Sequence, residues 1–548
     1  FCSYSGEALD KKTPLLRSMD ALNRQGLRIL RLFSNRDAQR VIPTTGPEQE
    51  YFLIDEHMFQ QRRDLQMTGR TLFGARPVKG QELDDHYFGS IKPRVVAFMR
   101  DLDEELWKLG IPCKTEHNET APAQHELAHV YENSNLATDH NQLIMDLLKN
   151  TACKHGMVCL LHEKPFSGIN GSGKHNNWGL CTDTGINLLE PGETPQEDAQ
   201  FLLFLCAVLK AVDLHQDLLR ISVATASNDC RLGSHEAPPA IISVYLGDEL
   251  SAVLDALEHQ NTYVKETNAS MSVGVHMLPR IPKDSSDRNR TSPFAFSGNK
   301  FEFRSLGSSN STADPNTVLN TIVADVLCQF ADELEKAGDF QMACQKLIVD
   351  TITHHKRIIF NGNSYSQEWV TEAKERGLLN LPSVPDCLPY LLREENVALY
   401  GRQQVMSETE LRSRQEILAD NYCKITAIEG LTMLDMARRD IIPAVSRNTG
   451  HLCDLIVKKS ALIQGTLPEQ GTFDQLSELL QQMVEGVDNL DKALKDADTG
   501  ESIQRANKYR NKVLPAMQAL RTACDSAEQL SDRKLWPMPG YSDILGSI

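Results

Sequence analysis

The hydrophobic pattern of this 548-residue chain changes near residue 312, and that change constrains the fold more than any other feature. Before it, β-type runs alternate with helical segments and Gly/Pro/Asn-rich loops, and they predict strands at residues 47–54, 221–225 and 301–305. After it, apolar residues recur with helical spacing, for example Val318, Ile322, Val326 and Phe330. The sequence therefore predicts an α+β domain over residues 1–312 and a helical region over residues 313–548.

The helical half carries no catalytic motif. Two of its helix starts have the pattern of a capping box, Ser407 with Glu410 and Thr472 with Gln475. Residues 360–397 are rich in Asn, Pro and Gly, which predicts a connecting loop region. Amphipathic repeats suit the packing of helix on helix, so we expect this half to serve packing or assembly.

Composition and charge exclude several classes of protein. No apolar run reaches the roughly 18 residues that a membrane-spanning helix needs. The net charge of −17 argues against nucleic acid or an anionic membrane as the main partner. The 13 cysteines include no CxxC pair, which excludes the familiar cysteine-based zinc motifs. Scattered thiols in a long chain are typical of a reducing compartment, so a cytoplasmic protein is expected.

Acidic residues inside apolar strand segments point to chemistry. Glu48 and Glu50 are two residues apart, so on a strand their side chains share one face. The residues that follow, 51–54, are mostly apolar, and an unpaired carboxylate beside them would be costly. Glu302 and Arg304 are likewise two apart and alternate with phenylalanines. A functional site explains these patterns better than the alternative of a solvated edge strand.

Two further segments are more ambiguous when taken alone. Glu119 and Glu126 lie on either side of Pro122, which predicts a bend between them, and either residue could be an ordinary surface glutamate. Arg231 and Glu236 flank a short loop, where an exposed salt bridge is the alternative to a functional pair. These residues become informative only together with the other motifs.

A glycine-rich stretch, residues 168–179, contains His175 and lets the backbone approach a ligand closely. With this imidazole the candidate set contains five carboxylates and one histidine: Glu48, Glu50, Glu119, Glu126, Glu302 and His175. Hard oxygen donors of this kind suit Mg²⁺ or Mn²⁺. Five negative charges in one cavity would repel each other, and two or more divalent cations would nearly balance them.

These motifs, taken in order, resemble the glutamine synthetase family. The segments that carry the resemblance are GPEQEYF, HNETAPAQHE, NGSGKH, RLGSHEAP and NKFEFR, and they span roughly residues 45–315. The long helical second half is similar to that of the large type III class. The resemblance implies an α+β catalytic domain, with an antiparallel sheet flanked by helices, followed by a large helical C-terminal domain. It also implies ATP-dependent ligation of ammonia to the γ-carboxyl of glutamate through a γ-glutamyl phosphate.

The resemblance assigns a role to each candidate residue. For two or three Mg²⁺ or Mn²⁺ ions, the implied ligands are Glu50, Glu119 and Glu126 on the glutamate side, and Glu48, His175 and Glu302 on the phosphate side. The implied substrate-binding and catalytic residues are Asn170, Gly171, Arg231, Arg304, Tyr87 near the ammonium pocket, and Glu236 as the base on a closing loop. The implied nucleotide contacts are Asn177, Lys300 and Arg290.

The chain also departs from the family pattern. Phe294–Phe296 stands where members commonly have another phosphate-binding arginine. Nothing before Thr13 resembles the family's N-terminal β-grasp domain, which is apparently missing and would complete a neighbouring subunit's site. The implied partners are glutamate, ammonium, ATP and further copies of the chain in a ring-based homo-oligomer, a dodecamer of stacked hexamers. Two alternatives remain open: a ligase with another amine acceptor, and an inactive structural relative.

Overall fold

The computed structural model describes residues 2–234, 237–259, 261, 270–271, 281–282 and 291–548. The described strands are β1 (Val41–Asp55), β2 (Cys113–Asn118), β3 (Gln124–His129), β4 (Glu132–Asn133), β5 (Met157–Leu160), β6 (Lys174–Thr182), β7 (Val244–Tyr245), β8 (Ser270–Met271), β9 (Ile281–Pro282), β10 (Phe294–Phe296) and β11 (Phe301–Phe303). The helices of the first half are α1 (Lys12–Leu32), α2 (Glu56–Gln60), α3 (Arg63–Thr68), α4 (Pro93–Lys108), α5 (Ser134–Lys154), α6 (Ala199–Leu214), α7 (Gln216–Ile221), α8 (Ala226–Asp229) and α9 (Gly247–Glu258).

The second half is built from helices. They are α10 (Ala313–Leu334), α11 (Phe340–His355), α12 (Gln367–Glu375), α13 (Val384–Leu391), α14 (Glu394–Gln403), α15 (Glu408–Met436), α16 (Ile442–Ser460), α17 (Pro468–Ala497), α18 (Ser502–Lys508), α19 (Leu514–Leu530) and α20 (Tyr541–Leu545). A 3₁₀ turn lies at Lys356–Ile358, and π-helical turns lie at Ala437–Ile441 and Tyr509–Val513. None of the described helices combines the length and apolar content that a membrane span needs.

The long strand β1 organises the main sheet. It pairs with β3 on one side and with β6 on the other, and the strand order is β2-β3-β1-β6-β11-β10-β7. The short strands β4 and β5 also pair with β1. All of these pairs are antiparallel except that between β7 and β10. The sheet is therefore mixed, with antiparallel pairing around β1.

Both faces of β1 are buried at its C-terminal end. Tyr51 and Leu53 pack against α4 and α5, whereas Phe52 and Ile54 pack with Phe166 and with α20. Since side chains alternate along a strand, Glu48 and Glu50 share the face of Phe52 and Ile54. The apolar cluster there confines the polar part of this face to the middle of β1.

The largest apolar core runs from β6 through α1, α6 and α10 into the helical half. Trp178, Phe204 and Ile322 are fully buried in it. Helix α6 is apolar on nearly all sides because it lies between α10 and α11. The two halves therefore share one continuous core, and the sheet rests on helices from both.

Polar contacts also attach the helical half to the loop after α3. Arg70 forms a bidentate ion pair with Glu429 of α15, with N–O distances of 2.6 and 2.7 Å. The Gly74 amide donates to Asp525 of α19 at 2.7 Å. Paired charges with little exposure fix geometry well, so α15 and α19 hold this loop in place.

Several local predictions are confirmed. The strand at residues 47–54 lies within β1, and residues 301–303 form β11. The capping box of Ser407 and Glu410 starts α15. The apolar residues Val318, Ile322, Val326 and Phe330 are buried along α10. The boundary at residue 312 coincides with the end of the strand-containing part, but the division into two domains stays a prediction.

Three local predictions are wrong. Residues 221–225 end α7 and lead into α8, because a short apolar run buried on all sides fits a helix end as well as a strand. The helix predicted to start at Thr472 starts at Pro468, since proline suits the first turn. Residues 360–397 contain α12, α13 and part of α14. Ser366 caps the start of α12 and Ser383 caps the start of α13. Only residues 360–366 and the short connections between these helices are loop.

Candidate active site

The strand register brings the predicted carboxylates together. Glu48 on β1 stands opposite His175 on β6. Glu50 on β1 stands opposite Glu126 on β3. Glu302 on β11 pairs with the residue two positions after His175. Side chains at paired positions of adjacent strands lie close on one face, so three antiparallel pairs assemble the cluster.

His175 is at the centre of this cluster. Its Nδ1 lies 3.2 Å from a Glu48 oxygen and 3.1 Å from a Glu302 oxygen, and its Nε2 lies 3.5 Å from a Glu50 oxygen. Arg304 Nε lies 3.2 Å from the same Glu302 oxygen. One group of ligand atoms therefore comprises Glu48, His175 and Glu302, and a second comprises Glu50, Glu126 and His175.

A third group of ligand atoms lies beside the second. His117 Nε2 is 2.7 Å from a Glu126 oxygen, and His117 Nδ1 is 3.6 Å from a Glu119 oxygen. The bend predicted at Pro122 is present, and strands β2 and β3 pair across it so that His117 stands opposite Glu126. The three groups are contiguous because Glu126 and His175 each belong to two of them.

The electrostatics of the cluster show how crowded the negative charge is. Burial disfavours a charged imidazole, but hydrogen bonds to Glu302 and Glu48 outweigh it and raise the pKa of His175 to about 10. Burial and neighbouring carboxylates raise the pKa of Glu119 to about 8. Protons on these two groups reduce the repulsion among the acids, and bound cations would take over that role.

A cavity of about 340 Å³ opens over the cluster. All six predicted ligands line it, together with Tyr87, Asn170, Gly171, Arg231 and Arg304. The acids lie on the sheet side, and the two arginines supply positive charge in the same cavity. Anionic groups of a ligand can therefore contact both cations held by the acids and the guanidinium groups.

Neighbouring residues hold the loop that carries Asn170 and Gly171. The Gln81 amide both donates to Asn170 Oδ1 at 2.7 Å and accepts from its backbone N–H at 2.8 Å. Gly173 donates its N–H to a Glu50 oxygen at 2.6 Å. Arg231, which is 3% exposed, donates from Nη2 to the Arg304 carbonyl at 3.2 Å. The loop, the acids and the arginine thus form one hydrogen-bonded unit.

Four of the predicted site residues are not among those that line the cavity. Two lie elsewhere, and two are outside the described residues. Asn177 does not line the cavity; its amide donates to Glu48 at 2.8 Å and to the Gly46 carbonyl at 3.0 Å, so it orients a predicted ligand. Lys300 lies away from the cavity with its Nζ 5.5 Å from the centre of the Tyr131 ring. Glu236 and Arg290 lie outside the described residues.

Sequence reasoning missed several residues that line the cavity, among them His117, Gln124 and Tyr365. His117, near the end of β2, is two residues before Glu119, the same spacing that singled out Glu48 and Glu50, so this signal was available. Gln124 donates to the Gly171 carbonyl at 3.0 Å. Tyr365 enters the cavity from the connection before α12. No sequence pattern links that connection to the sheet.

The donor set fits divalent cations. Carboxylate oxygens and imidazole nitrogens converge in three groups whose atoms lie within 4.8 Å of one another. Oxygen-rich sets of this kind suit Mg²⁺ or Mn²⁺. Crowded carboxylates of this kind repel one another, and a bound divalent cation relieves that repulsion.

Comparison with known proteins agrees with this geometry. A family model described as the glutamine synthetase catalytic domain matches residues 27–240, and one described as the glutamine synthetase C-terminal domain matches residues 343–460. A "Glutamine synthetase" of Butyrivibrio fibrisolvens is 47% identical across 100% of this chain and 79% of its own length. The chain belongs to the glutamine synthetase family.

Other relatives refine the comparison. A "Type-3 glutamine synthetase" of Dictyostelium discoideum is 45% identical across 100% of this chain and 76% of its own length. A solved structure described as "Apo GmaS without ligand" aligns with 76% of this chain and 74% of its own chain. The two are 14% identical with a TM-score of 0.44, which is too low to support a conclusion about this chain. The predicted family, its type III class, the α+β fold with a large helical region, and the prediction of a ligase are confirmed.

Proposed function

We propose that this chain forms glutamine by ATP-dependent ligation of ammonia to the γ-carboxyl of glutamate. The observation that carries this proposal is the convergence of five carboxylates, His175 and two arginines on one cavity. Such a cavity can hold a polyphosphate and a dicarboxylic amino acid side by side. Divalent cations, when bound to the acids, neutralise the phosphate charge that would otherwise repel the glutamate carboxylate.

In the first step, a γ-carboxylate oxygen of glutamate attacks the terminal phosphorus of ATP and ADP leaves. Phosphoryl transfer depends mostly on positioning and on stabilising charge. We assign the positioning to Asn170, Gly171 and Arg231, which Gln81 and the cavity wall hold in place. Arg304 would donate hydrogen bonds to the phosphoryl oxygens as their charge redistributes. The product of this step is a γ-glutamyl phosphate.

In the second step, ammonia attacks the acyl phosphate and inorganic phosphate leaves. Ammonium must first lose a proton, and water must be excluded because it would hydrolyse the acyl phosphate. We propose that Glu236 accepts this proton and that ammonium binds near Tyr87. The support for Glu236 is its motif and the position of the next residues, since Ala237 and Pro238 line the cavity.

Replacing Glu236 with glutamine should separate the two steps. A positioned base contributes roughly 10²- to 10⁴-fold, so glutamine formation should fall by at least about 100-fold. Phosphorylation of glutamate does not need this base, so slow release of ADP and phosphate should continue. ADP and glutamine are measured in the same reaction. Equal loss of both products would contradict the role of Glu236 as the base.

Gly173→Ala tests the position of Arg231. A Cβ added at Gly173 would lie 2.2 Å from Arg231 Nη2 and 2.7 Å from its Cζ, so the guanidinium must move. A shift of about 1 Å in a positioning group costs up to about 100-fold in rate. We expect the kcat/KM for glutamate to fall by that order, while the thermal unfolding temperature changes little because a flexible side-chain end can move.

Two glycines provide controls for this variant. At Gly338 an added Cβ meets nothing within 4 Å, so Gly338→Ala should change neither activity nor stability measurably. At Gly171 it would lie 2.3 Å from the Glu163 backbone oxygen, so Gly171→Ala should lower the unfolding temperature as well as activity. An unchanged kcat/KM in Gly173→Ala would show that Arg231 does not bind glutamate.

Other parts of the proposal rest on the family resemblance. ATP as the nucleotide, with nucleotide contacts from Asn177, Lys300 and Arg290, stays a prediction. A cytoplasmic location and a ring-based homo-oligomer, a dodecamer of stacked hexamers, stay predictions as well. In such an assembly a neighbouring subunit would complete each cavity. The measured mass of the assembled protein tests this part.

A further inference from the structure

A second cluster of ligand-type side chains lies outside the active-site cavity. It consists of His129, the last residue of β3, Glu132 in β4, and His140 in the second turn of α5. None of the three lines the active-site cavity. The function proposed above uses none of them, and the glutamine synthetase motifs quoted from the sequence do not include them.

The donor atoms of this cluster have the spacing of a metal site. His129 Nε2 lies 3.3 Å from His140 Nδ1 and 3.3 Å from a Glu132 oxygen. The same Glu132 oxygen is also in contact with His140 Nδ1. With zinc–ligand bonds of about 2.0–2.1 Å, neighbouring donors of a tetrahedron are about 3.3 Å apart. The cluster therefore needs only small adjustments to hold one ion at its centre.

Burial supports the same conclusion. The side chain of His129 is 1% exposed, whereas those of Glu132 and His140 are 27% and 20% exposed. The nitrogen of His129 that faces Glu132 and His140 is Nε2, so this buried ring presents one donor to the shared centre. The partly exposed residues leave an access route and an open coordination position.

The three elements are held independently of any ion. Glu132 pairs through its backbone with Thr45 of β1. Asn133 caps α5 by accepting from the Asn135 N–H, and Ser134 Oγ lies 2.7 Å from Thr45 Oγ1. These contacts fix the start of α5 against the sheet, so the cluster is preorganised, as a binding site requires.

We propose that His129, Glu132 and His140 form a binding site for one borderline divalent transition metal, of which Zn²⁺ is the best match. Two imidazole nitrogens and one carboxylate oxygen suit Zn²⁺ better than Mg²⁺, which prefers oxygen donors. The active-site cluster has five carboxylates, so its donors suit Mg²⁺ or Mn²⁺ better. An ion here would link the end of β3 to α5, three residues from Glu126 of the active site.

The test uses the full-length protein stripped of metal and then titrated with Zn²⁺, or with Co²⁺ as a spectroscopic probe, in excess Mg²⁺. Excess Mg²⁺ occupies the oxygen-rich sites, so the wild type should retain one tightly bound Zn²⁺ per chain and should show the visible absorption of tetrahedral Co²⁺. Zinc should also raise the thermal unfolding temperature, because an ion that binds only the folded state stabilises it.

Variants assign the ion to the cluster. His140→Ala and Glu132→Gln should each lose the bound Zn²⁺, the Co²⁺ absorption and the zinc-dependent shift in unfolding temperature. Glu132→Gln keeps the shape of the side chain, so it serves if His140→Ala folds poorly. His175→Ala, in the active site, should retain all three signals. The proposal is overturned if the wild type holds no Zn²⁺ in excess Mg²⁺, or if both cluster variants bind as much as the wild type.

Discussion

Glu302→Ala is expected to lower kcat/KM by about 10³-fold or more at saturating Mg²⁺ while leaving the fold intact. Glu302 accepts hydrogen bonds or ion pairs from both His175 and Arg304. It therefore joins a proposed cation site to a proposed phosphoryl-binding arginine. Removing one preorganised group that stabilises transition-state charge typically costs 10²- to 10³-fold, and this change disturbs two such groups.

The fold should tolerate this change because the opposite face of β11 anchors the strand. Phe301 and Phe303 are fully buried, and Phe301 stacks on Phe294 with ring centres 4.8 Å apart. His175 keeps its contact with Glu48 when Glu302 is absent. We therefore expect a circular dichroism spectrum and a denaturant midpoint close to those of the wild type.

A matched control contacts the turn of the same hairpin. Glu190 is an exposed acid that accepts from Asn299 at 3.2 Å, outside the cavity. Glu190→Ala should change kcat/KM by less than about twofold, since an exposed polar contact contributes little. Activity of Glu302→Ala within tenfold of the wild type at saturating Mg²⁺ would contradict the assignment of Glu302 as a ligand.

Arg304→Gln is expected to lower kcat by about 10³-fold with a smaller effect on the KM for ATP. Arginines that stabilise the charge of a transferring phosphoryl group contribute roughly 10³- to 10⁵-fold. The position of Arg304 is fixed because its backbone N–H donates to the Pro293 carbonyl at 2.9 Å and its side chain pairs with Glu302. A loss concentrated in kcat is the signature of an interaction made in the transition state.

Arg304→Lys separates charge from geometry. Lysine keeps the positive charge but lacks the planar fork of arginine, so it should recover part of the lost kcat. Steady-state kinetics of the two variants, with unfolding curves alongside, provide the comparison. An increase in KM with unchanged kcat in Arg304→Gln would show that this residue binds the ground state only.

The sequence predicted the faces of the strands well. Alternation of charged and aromatic residues placed Glu302 and Arg304 on the same face of their strand, and the spacing of Glu48 and Glu50 placed these two on the same face of theirs. Each of these predictions depends only on neighbours along one strand. Only the resemblance to the glutamine synthetase family indicated that the strands carrying these residues meet at one site.

Other features depend on contacts between distant segments and could not be predicted from local pattern. The register that sets His175 opposite Glu48 is a pairing of β1 with β6, more than a hundred residues apart. Tyr365 reaches the cavity because the chain after α11 returns to the sheet, where the Phe360 N–H donates to the Val244 carbonyl of β7 at 2.8 Å. The wrong strand at residues 221–225 has the same origin, since burial on all sides removes the periodicity that separates strand from helix.

The most direct test of the central claim is product formation from glutamate, ATP and Mg²⁺ with isotopically labelled ammonium, with methylamine and ethylamine in parallel reactions. We predict labelled glutamine in equal amount to ADP and phosphate, no product without ATP, and a kcat/KM for ammonium far above that for either amine. A preference for an alkylamine would contradict ammonia as the acceptor. The absence of any ATP-dependent amide product, in a folded and assembled protein, would contradict the proposed ligation.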